Sequence, residues 1–192
     1  TEIYTLSLHD ALPIYLPLDR PELLCYGPGY NGWGVQTHQK AFAAFAVLAT
    51  DPDLDETRAK ISREELLAKS LAMLRFSLES HLAGGYHCTD GTRWGHTWIS
   101  ALGIERMMHG VEALRPQFSA EEEILLAAVL ASECDWLTNE YPVEAGPIQH
   151  NKPERNLWNG ALLPRTALLY PHHLRAAEWR QKGTLFPSNG NS

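Results

Sequence analysis

The chain has 192 residues, of which 44% are hydrophobic and 20% charged, and its formal net charge at pH 7 is −7. This balance is typical of a globular protein with a sizeable core, and an acidic chain without a Lys/Arg-rich run argues against non-specific binding of nucleic acid. No stretch approaches the roughly 18 apolar residues of a membrane helix, so we expect no membrane partner.

The two ends of the chain differ in character from its middle. Residues 5–14 resemble the translation of a sequencing adapter. We therefore expect residues 1–14 to be a non-native artefact, and we assign residues 15–192 to one incomplete domain. Residues 187–192 have the composition of a loop that is cut short, so we expect the chain to be an internal fragment.

The three cysteines, Cys25, Cys88 and Cys134, are odd in number and widely spaced. They form neither a CxxC pair nor a Cys/His zinc spacing. We therefore expect three free and mostly buried thiols. No metal and no other cofactor is predicted.

Seven segments have apolar residues at helical spacing or a proline suited to a first helical turn. Two of them begin at capping boxes, which pair Ser62 with Glu65 and Ser119 with Glu122. In chain order, the predicted helices cover residues 21–25, 34–50, 62–82, 95–114, 119–141, 154–170 and 172–184. Pro164 lies inside the sixth of these, where it removes one backbone hydrogen bond and predicts a kink.

The breaks between these helices alternate in length and composition. Short breaks with proline lie at residues 51–52, 115–116 and 171, whereas long polar loops cover residues 86–93 and 142–153. This alternation predicts an all-α fold of antiparallel helical hairpins stacked side by side, with every long loop at one end. Three helix starts, marked by Trp33, Trp94 and Trp158, are expected at that same end.

This end of the predicted stack has the chemistry of a saccharide groove. Helix N-termini favour anions, tryptophan rings stack on the apolar faces of sugars, and amide and imidazole groups bond hydroxyls and carboxylates. The predicted substrate-binding residues are Trp33, Gln36, His87, Asp90, Trp94, His150, Asn151, Trp158 and Asn159. Packing in the core is the alternative for each tryptophan.

The predicted catalytic residues are His38, His96, Glu154 and Asn156. His38 and His96 each follow a tryptophan into a predicted helix, and histidine titrates near neutral pH, as a general base requires. Glu154 also fits the first turn of a helix, where the dipole favours a carboxylate. Asp90 precedes a glycine and also fits a turn.

Other titratable residues are expected to be structural or solvated. Those expected at the surface or at helix ends are His81, His109, His172 and His173. The acidic residues expected to be solvated or paired in the middle of helices are Glu105, Glu133 and Asp135.

The segment from Asn151 to Leu163 resembles the Asn-rich, Trp-containing helix start of heparinase II/III-like (α/α) toroid proteins, and residues 94–98 are compatible with it. The resemblance covers roughly residues 30–190. It implies a partial (α/α)6 toroid in which about three of about six hairpins are present. It also implies that Asn156 neutralises a uronate carboxylate, with His96 or His38 as the base.

In such lyases a tyrosine or a histidine abstracts the proton. No tyrosine is clearly placed as an acid here, although Tyr30 and Tyr86 lie in suitable loops.

The resemblance favours a carbohydrate-active enzyme fragment that cleaves a uronate-containing glycan by β-elimination. One alternative is a toroid glycoside hydrolase with paired carboxylates such as Glu154 and Asp90. Another is a non-catalytic α-solenoid that binds a glycan or a protein. The expected partner is an acidic polysaccharide or oligosaccharide. Linkage, oligomeric state and compartment stay open, although a periplasmic or secreted location fits polysaccharide degradation.

Overall fold

The computed structural model describes residues 14–141 and 153–188. In these residues the chain is all-α, as the sequence predicts. Its seven helices are α1 (Trp33–Thr50), α2 (Glu56–Ala59), α3 (Arg63–Glu79), α4 (Ser100–Leu114), α5 (Ala120–Asn139), α6 (Pro153–Leu169) and α7 (Ala176–Ser188). A short antiparallel pair, β1 (Ile14–Tyr15) and β2 (Cys25–Tyr26), precedes them, and a 3-10 turn (Arg115–Gln117) joins α4 to α5.

Helices with a strong local start signal have nearly the predicted bounds. The Ser62 hydroxyl accepts a hydrogen bond from the Glu65 amide at the start of α3, and Ser119 and Glu122 form a complete capping box at the start of α5. Each cap satisfies backbone donors that the helix leaves unpaired, so the signal is encoded locally. Pro164 lies inside α6, as predicted.

One predicted helix is absent, and two predicted helix starts are wrong. Residues 21–22 form a turn, residues 23–24 have no regular secondary structure, and Cys25 is the first residue of β2. The helix predicted from residue 95 begins at Ser100, because φ is 129° at Gly95 and 50° at His96, which no right-handed helix allows. Turns occupy residues 171–175, so the last helix begins at Ala176. The short helix α2 was not predicted.

Helices α1, α4 and α6 run in the same direction. Along α4, Gly103 lies against Gln39 of α1 and Gly110 lies farther on against Ala46. The contacts between α4 and α6 also have a parallel order. The Arg155 guanidinium lies over Trp98, just before α4, and farther along both helices Arg165 pairs with Glu112. The N-termini of these three helices are therefore at one end of the fold.

Helices α3, α5 and α7 run in the opposite direction. In the pairing of α1 with α3, His38 contacts Met73 and Ala49 contacts Arg63, which is an antiparallel order. The contacts between α3 and α5 have a parallel order, since Arg75 pairs with Glu122 and, farther along the chain, His81 pairs with Glu133. Helix α7 packs antiparallel to α6, since Gly183 lies against Pro164 and Arg180 bonds Ala167. The antiparallel packing expected from the sequence is thus confirmed.

The core contains large apolar side chains from both sets of helices, including Phe42, Met73, Ile104, Leu130 and Trp179. The three cysteines are free and buried, as expected. Burial raises the pKa of the Cys25 thiol to about 12 and that of Cys88 to about 11, so neither is a ready nucleophile. Across residues 14–141 and 153–188, no helix has the length and apolarity needed to cross a membrane.

Helices α1 and α4 approach closely at Gly110. A methyl group on this glycine would lie 2.7 Å from Phe42 Cε1 and 2.9 Å from the Ala43 Cα atom. We expect Gly110→Ala to lower the free energy of unfolding by about 2 kcal/mol, even though alanine is the better helix former. Urea denaturation measures this loss. The exposed neighbour provides the control, because His109→Ala should change stability by less than about 0.5 kcal/mol. A Gly110→Ala protein at least as stable as the wild type would contradict the close approach.

Candidate functional site

The starts of α1, α4 and α6 meet at one end of the fold through aromatic contacts. The rings of Trp33 and Trp98 have centroids 5.8 Å apart and meet edge to face at 72°. The Arg155 guanidinium lies 4.6 Å above the Trp98 ring. The predicted meeting of three helix starts is therefore present, but Trp98 rather than Trp94 provides the second aromatic ring.

A surface depression of about 450 Å³ lies at this end. Its walls are Tyr30, Asn31, Gly32, Trp33, Asp90, Thr92, Thr97, Trp98 and Ile99. Its two tryptophan side chains are exposed to solvent, Trp33 at 51% and Trp98 at 40%. Exposed aromatic rings beside polar groups are typical of a surface that binds an amphipathic ligand.

Asp90 joins the loop before α4 to the loop before α1. Its Oδ2 accepts a hydrogen bond from the Asn31 amide at 3.1 Å, and its Oδ1 accepts bonds from the amide and hydroxyl of Thr92. Partial burial raises the pKa of Asp90, but the bonds from Thr92 and Asn31 outweigh this effect and leave it below the usual value. The carboxylate thus stays ionised and holds one wall of the depression.

His38 is in the core and not at the predicted groove. Its Nδ1 accepts a hydrogen bond from the Tyr26 amide and its Nε2 donates to the Met73 carbonyl, each at 2.9 Å. Burial lowers the pKa of His38 to about 4, although the bond to Met73 favours the charged form. His38 is one turn into α1 on the face towards α3, so its two ring nitrogens bond α1 to β2 and to α3.

Trp94 and Gln36, both predicted to bind substrate, are also buried. Trp94 is 3% exposed, donates its Nε1 hydrogen to the Ser77 carbonyl and packs against His81. Gln36 lies in a narrow recess beneath the depression, and its Nε2 has no hydrogen-bond partner among the described residues. The loop turn at Gly95 directs Trp94 inward and leaves Trp98 outside, which the spacing of the tryptophans does not reveal.

His96 does not line the depression, but of the two predicted bases it is the one that is open to solvent. Its side chain is 35% exposed, and its ring stacks on Trp136 with a centroid distance of 5.5 Å and an angle of 4°. Its Nε2 lies 3.0 Å from the Ser132 hydroxyl. A histidine that is held in place but still open to solvent can exchange a proton with a bound ligand.

A buried His81–Glu133 pair lies beneath His96. Both side chains have no exposed surface, and His81 Nε2 is 3.0 Å from Glu133 Oε1. His81 was expected at the surface or at a helix end; it lies two residues after the end of α3, but it is fully buried. A sequence signal for the buried Glu133 exists, because it follows Leu126 and Leu130 on the stripe of α5 that faces the core.

The start of α6 presents its predicted residues at different depths. Glu154 is exposed and Trp158 is half-buried, whereas Asn156 and Asn159 are buried. Within the described part of the chain, Asn156 Oδ1 and Asn159 Nδ2 have no hydrogen-bond partner. The predicted residues His150 and Asn151 lie outside the described residues.

His87 is exposed, but it does not line the depression. Its ring stacks on Tyr86 at 4.2 Å, and its Nδ1 is 2.9 Å from the Cys88 carbonyl. Among residues 14–141 and 153–188, no group of three or more His, Cys, Asp or Glu side chains could hold a metal ion.

Comparison of the chain with protein-family models, with curated proteins and with solved structures gives no match.

Proposed function

We propose that this chain binds a uronate-containing glycan in the depression at the starts of α1, α4 and α6. The supporting observation is the contact of Arg155 with Trp98, beside the open ring of Trp33. An aromatic ring offers a face to a sugar, and a guanidinium pairs with a carboxylate in a geometry that suits a uronate. This arrangement favours an acidic sugar over a neutral one.

We further propose that the chain is part of a polysaccharide lyase of the (α/α) toroid class. In β-elimination a base removes the C5 proton of the uronate, and the electron pair forms the C4–C5 double bond. The C4–O bond then breaks, and the leaving oxygen takes up a proton. His96 is the proposed base because it is held but still exposed, and Arg155 with Asn156 is proposed to neutralise the carboxylate.

Tyr30 is the proposed proton donor to the leaving oxygen. It lines the depression and is 44% exposed. Tyr86, the other candidate, is buried and donates its hydroxyl hydrogen to Asp19 at 3.0 Å. The opposed directions of the two helix sets support the toroid part of the proposal, because hairpins placed side by side around a ring have this order.

Binding measurements distinguish the role of the Trp98 ring from that of the Arg155 charge. Replacing Trp98 by Ala removes the stacking surface and should weaken binding of both polygalacturonate and a neutral glycan of similar length by at least about tenfold. Arg155→Gln should weaken only polygalacturonate, since it removes the positive charge and leaves the ring. Isothermal titration calorimetry measures both effects.

Leu174→Ala is the control for these variants, because Leu174 is 88% exposed and does not line the depression. If Arg155→Gln weakened the binding of the acidic and the neutral glycan equally, the result would contradict uronate recognition by Arg155.

Product analysis tests the reaction. A lyase produces an unsaturated uronate that absorbs in the ultraviolet, and His96→Ala should abolish this absorbance while glycan binding persists. Reducing ends without absorbance would instead support a hydrolase that uses Glu154 and Asp90. Binding without any cleavage would support a non-catalytic module.

A further inference from the structure

We infer that Glu133 and His81 are positioning residues for His96, and that Ser132 fixes its tautomer so that Nδ1 is the atom that accepts the proton. This inference rests on the proposed role of His96 as a base. It adds three residues, which like His96 itself do not line the depression, and it assigns the reactive nitrogen.

The buried pair has a defined hydrogen-bond direction. His81 Nδ1 accepts a hydrogen bond from the Ala83 amide at 2.9 Å, so the imidazole hydrogen of a neutral His81 is on Nε2. That hydrogen is donated to Glu133 Oε1 at 3.0 Å. The ring of His81 is held further by its edge-to-face contact with Trp94, at 4.6 Å between centroids. Glu133 is therefore fixed from the side of α3.

Glu133 in turn fixes the backbone that presents His96. The same Oε1 atom accepts a hydrogen bond from the His96 amide at 2.6 Å. His96 has a φ of 50°, in the left-handed region that costs free energy for residues other than glycine. A fully buried carboxylate that bonds this amide stabilises the strained turn and directs the imidazole out towards Trp136.

The contacts of the His96 ring leave one nitrogen for a ligand. Nε2 lies 3.0 Å from Ser132 Oγ and 3.9 Å from Glu133 Oε1. The Ser132 hydroxyl and the Glu133 carboxylate therefore lie near the same ring nitrogen of His96. In a Ser-His-Glu relay the two groups contact opposite nitrogens of the histidine, so these residues do not form one. Two oxygens near Nε2 favour a hydrogen on that atom. Among the described residues Nδ1 has no bonded partner, so it is the free acceptor.

The tautomer can be measured without any substrate. In ¹⁵N-histidine NMR spectra recorded at a pH where the His96 imidazole is neutral, we expect its ring hydrogen on Nε2. Ser132→Ala should shift the population towards the other tautomer, whereas Thr138→Ala, a hydroxyl removed from the same helix, should not. A wild-type His96 with its hydrogen on Nδ1 would overturn the inference.

The kinetic arm uses Glu133→Gln, which keeps an acceptor oxygen and removes the charge. Loss of a unit charge near the imidazolium formed in the reaction should lower kcat by at least about tenfold, with KM within about twofold. Asp135→Asn neutralises a neighbouring carboxylate on α5 and should leave kcat unchanged. Unchanged kcat in Glu133→Gln would overturn the positioning role. If the wild type cleaves no polyuronate, the proposed function fails, and the NMR result alone decides the tautomer.

Discussion

Replacing Gly95 by Ala is expected to lower the free energy of unfolding by about 3 kcal/mol or more. Gly95 has a φ of 129°, a conformation that side chains rarely adopt. Its Cβ atom would lie 2.6 Å from His81 Nε2 and 3.0 Å from Glu133 Oε1. His81 cannot move aside, because it is buried and bonded at both nitrogens. Backbone strain and overpacking therefore act together.

Gly91→Ala is the matched control for this variant. Gly91 also has a positive φ, of 77°, but a Cβ atom there would meet no atom within 4 Å. Its replacement should cost about 1 kcal/mol from backbone strain alone. Urea denaturation of both variants gives the difference. Equal losses in the two would show that the contact of Gly95 with the His81–Glu133 pair contributes nothing.

Acid should destabilise the protein through His38. Burial lowers its native pKa to about 4 from the ordinary 6.5, so the unfolded chain takes up the proton first as the pH falls. The contribution of a neutral His38 is complete above pH 6.5 and declines between pH 6.5 and pH 4. The shift corresponds to about 3 kcal/mol in the free energy of unfolding.

His38→Gln isolates this contribution from other titrating groups. Glutamine can accept a hydrogen bond from the Tyr26 amide and donate one to the Met73 carbonyl, but it does not titrate. The stability of the wild type should therefore decline more steeply than that of His38→Gln between pH 6.5 and pH 4. Urea denaturation at a series of pH values measures both curves, and parallel curves would refute the explanation.

Local chemistry predicts the helices well where a cap or a periodic pattern is complete. The capping residues Ser62 and Ser119 begin α3 and α5, and each acts through groups within one turn of the chain. The prediction failed at residues 95–99 because the backbone has positive φ at Gly95 and His96, and apolar periodicity does not report it.

The candidate site was only partly accessible to sequence reasoning. Trp33 is exposed at the end where the three helix starts meet, and Asp90 lines the same depression. The spacing of Trp94 and Trp98 did not show which ring faces outward, and the contact of Arg155 with Trp98 joins residues far apart in the chain. The catalytic and substrate-binding roles stay predictions.

The sequence by itself determined the all-α class, the order of the main helices and their antiparallel packing. These follow from apolar spacing, caps and proline breaks, which act over a few residues. Only the tertiary structure decided that His38 is buried, that Trp98 is open and that His81 and Glu133 form a pair beneath His96. Burial and pairing depend on neighbours that are distant in the chain, and a residue's type does not specify them.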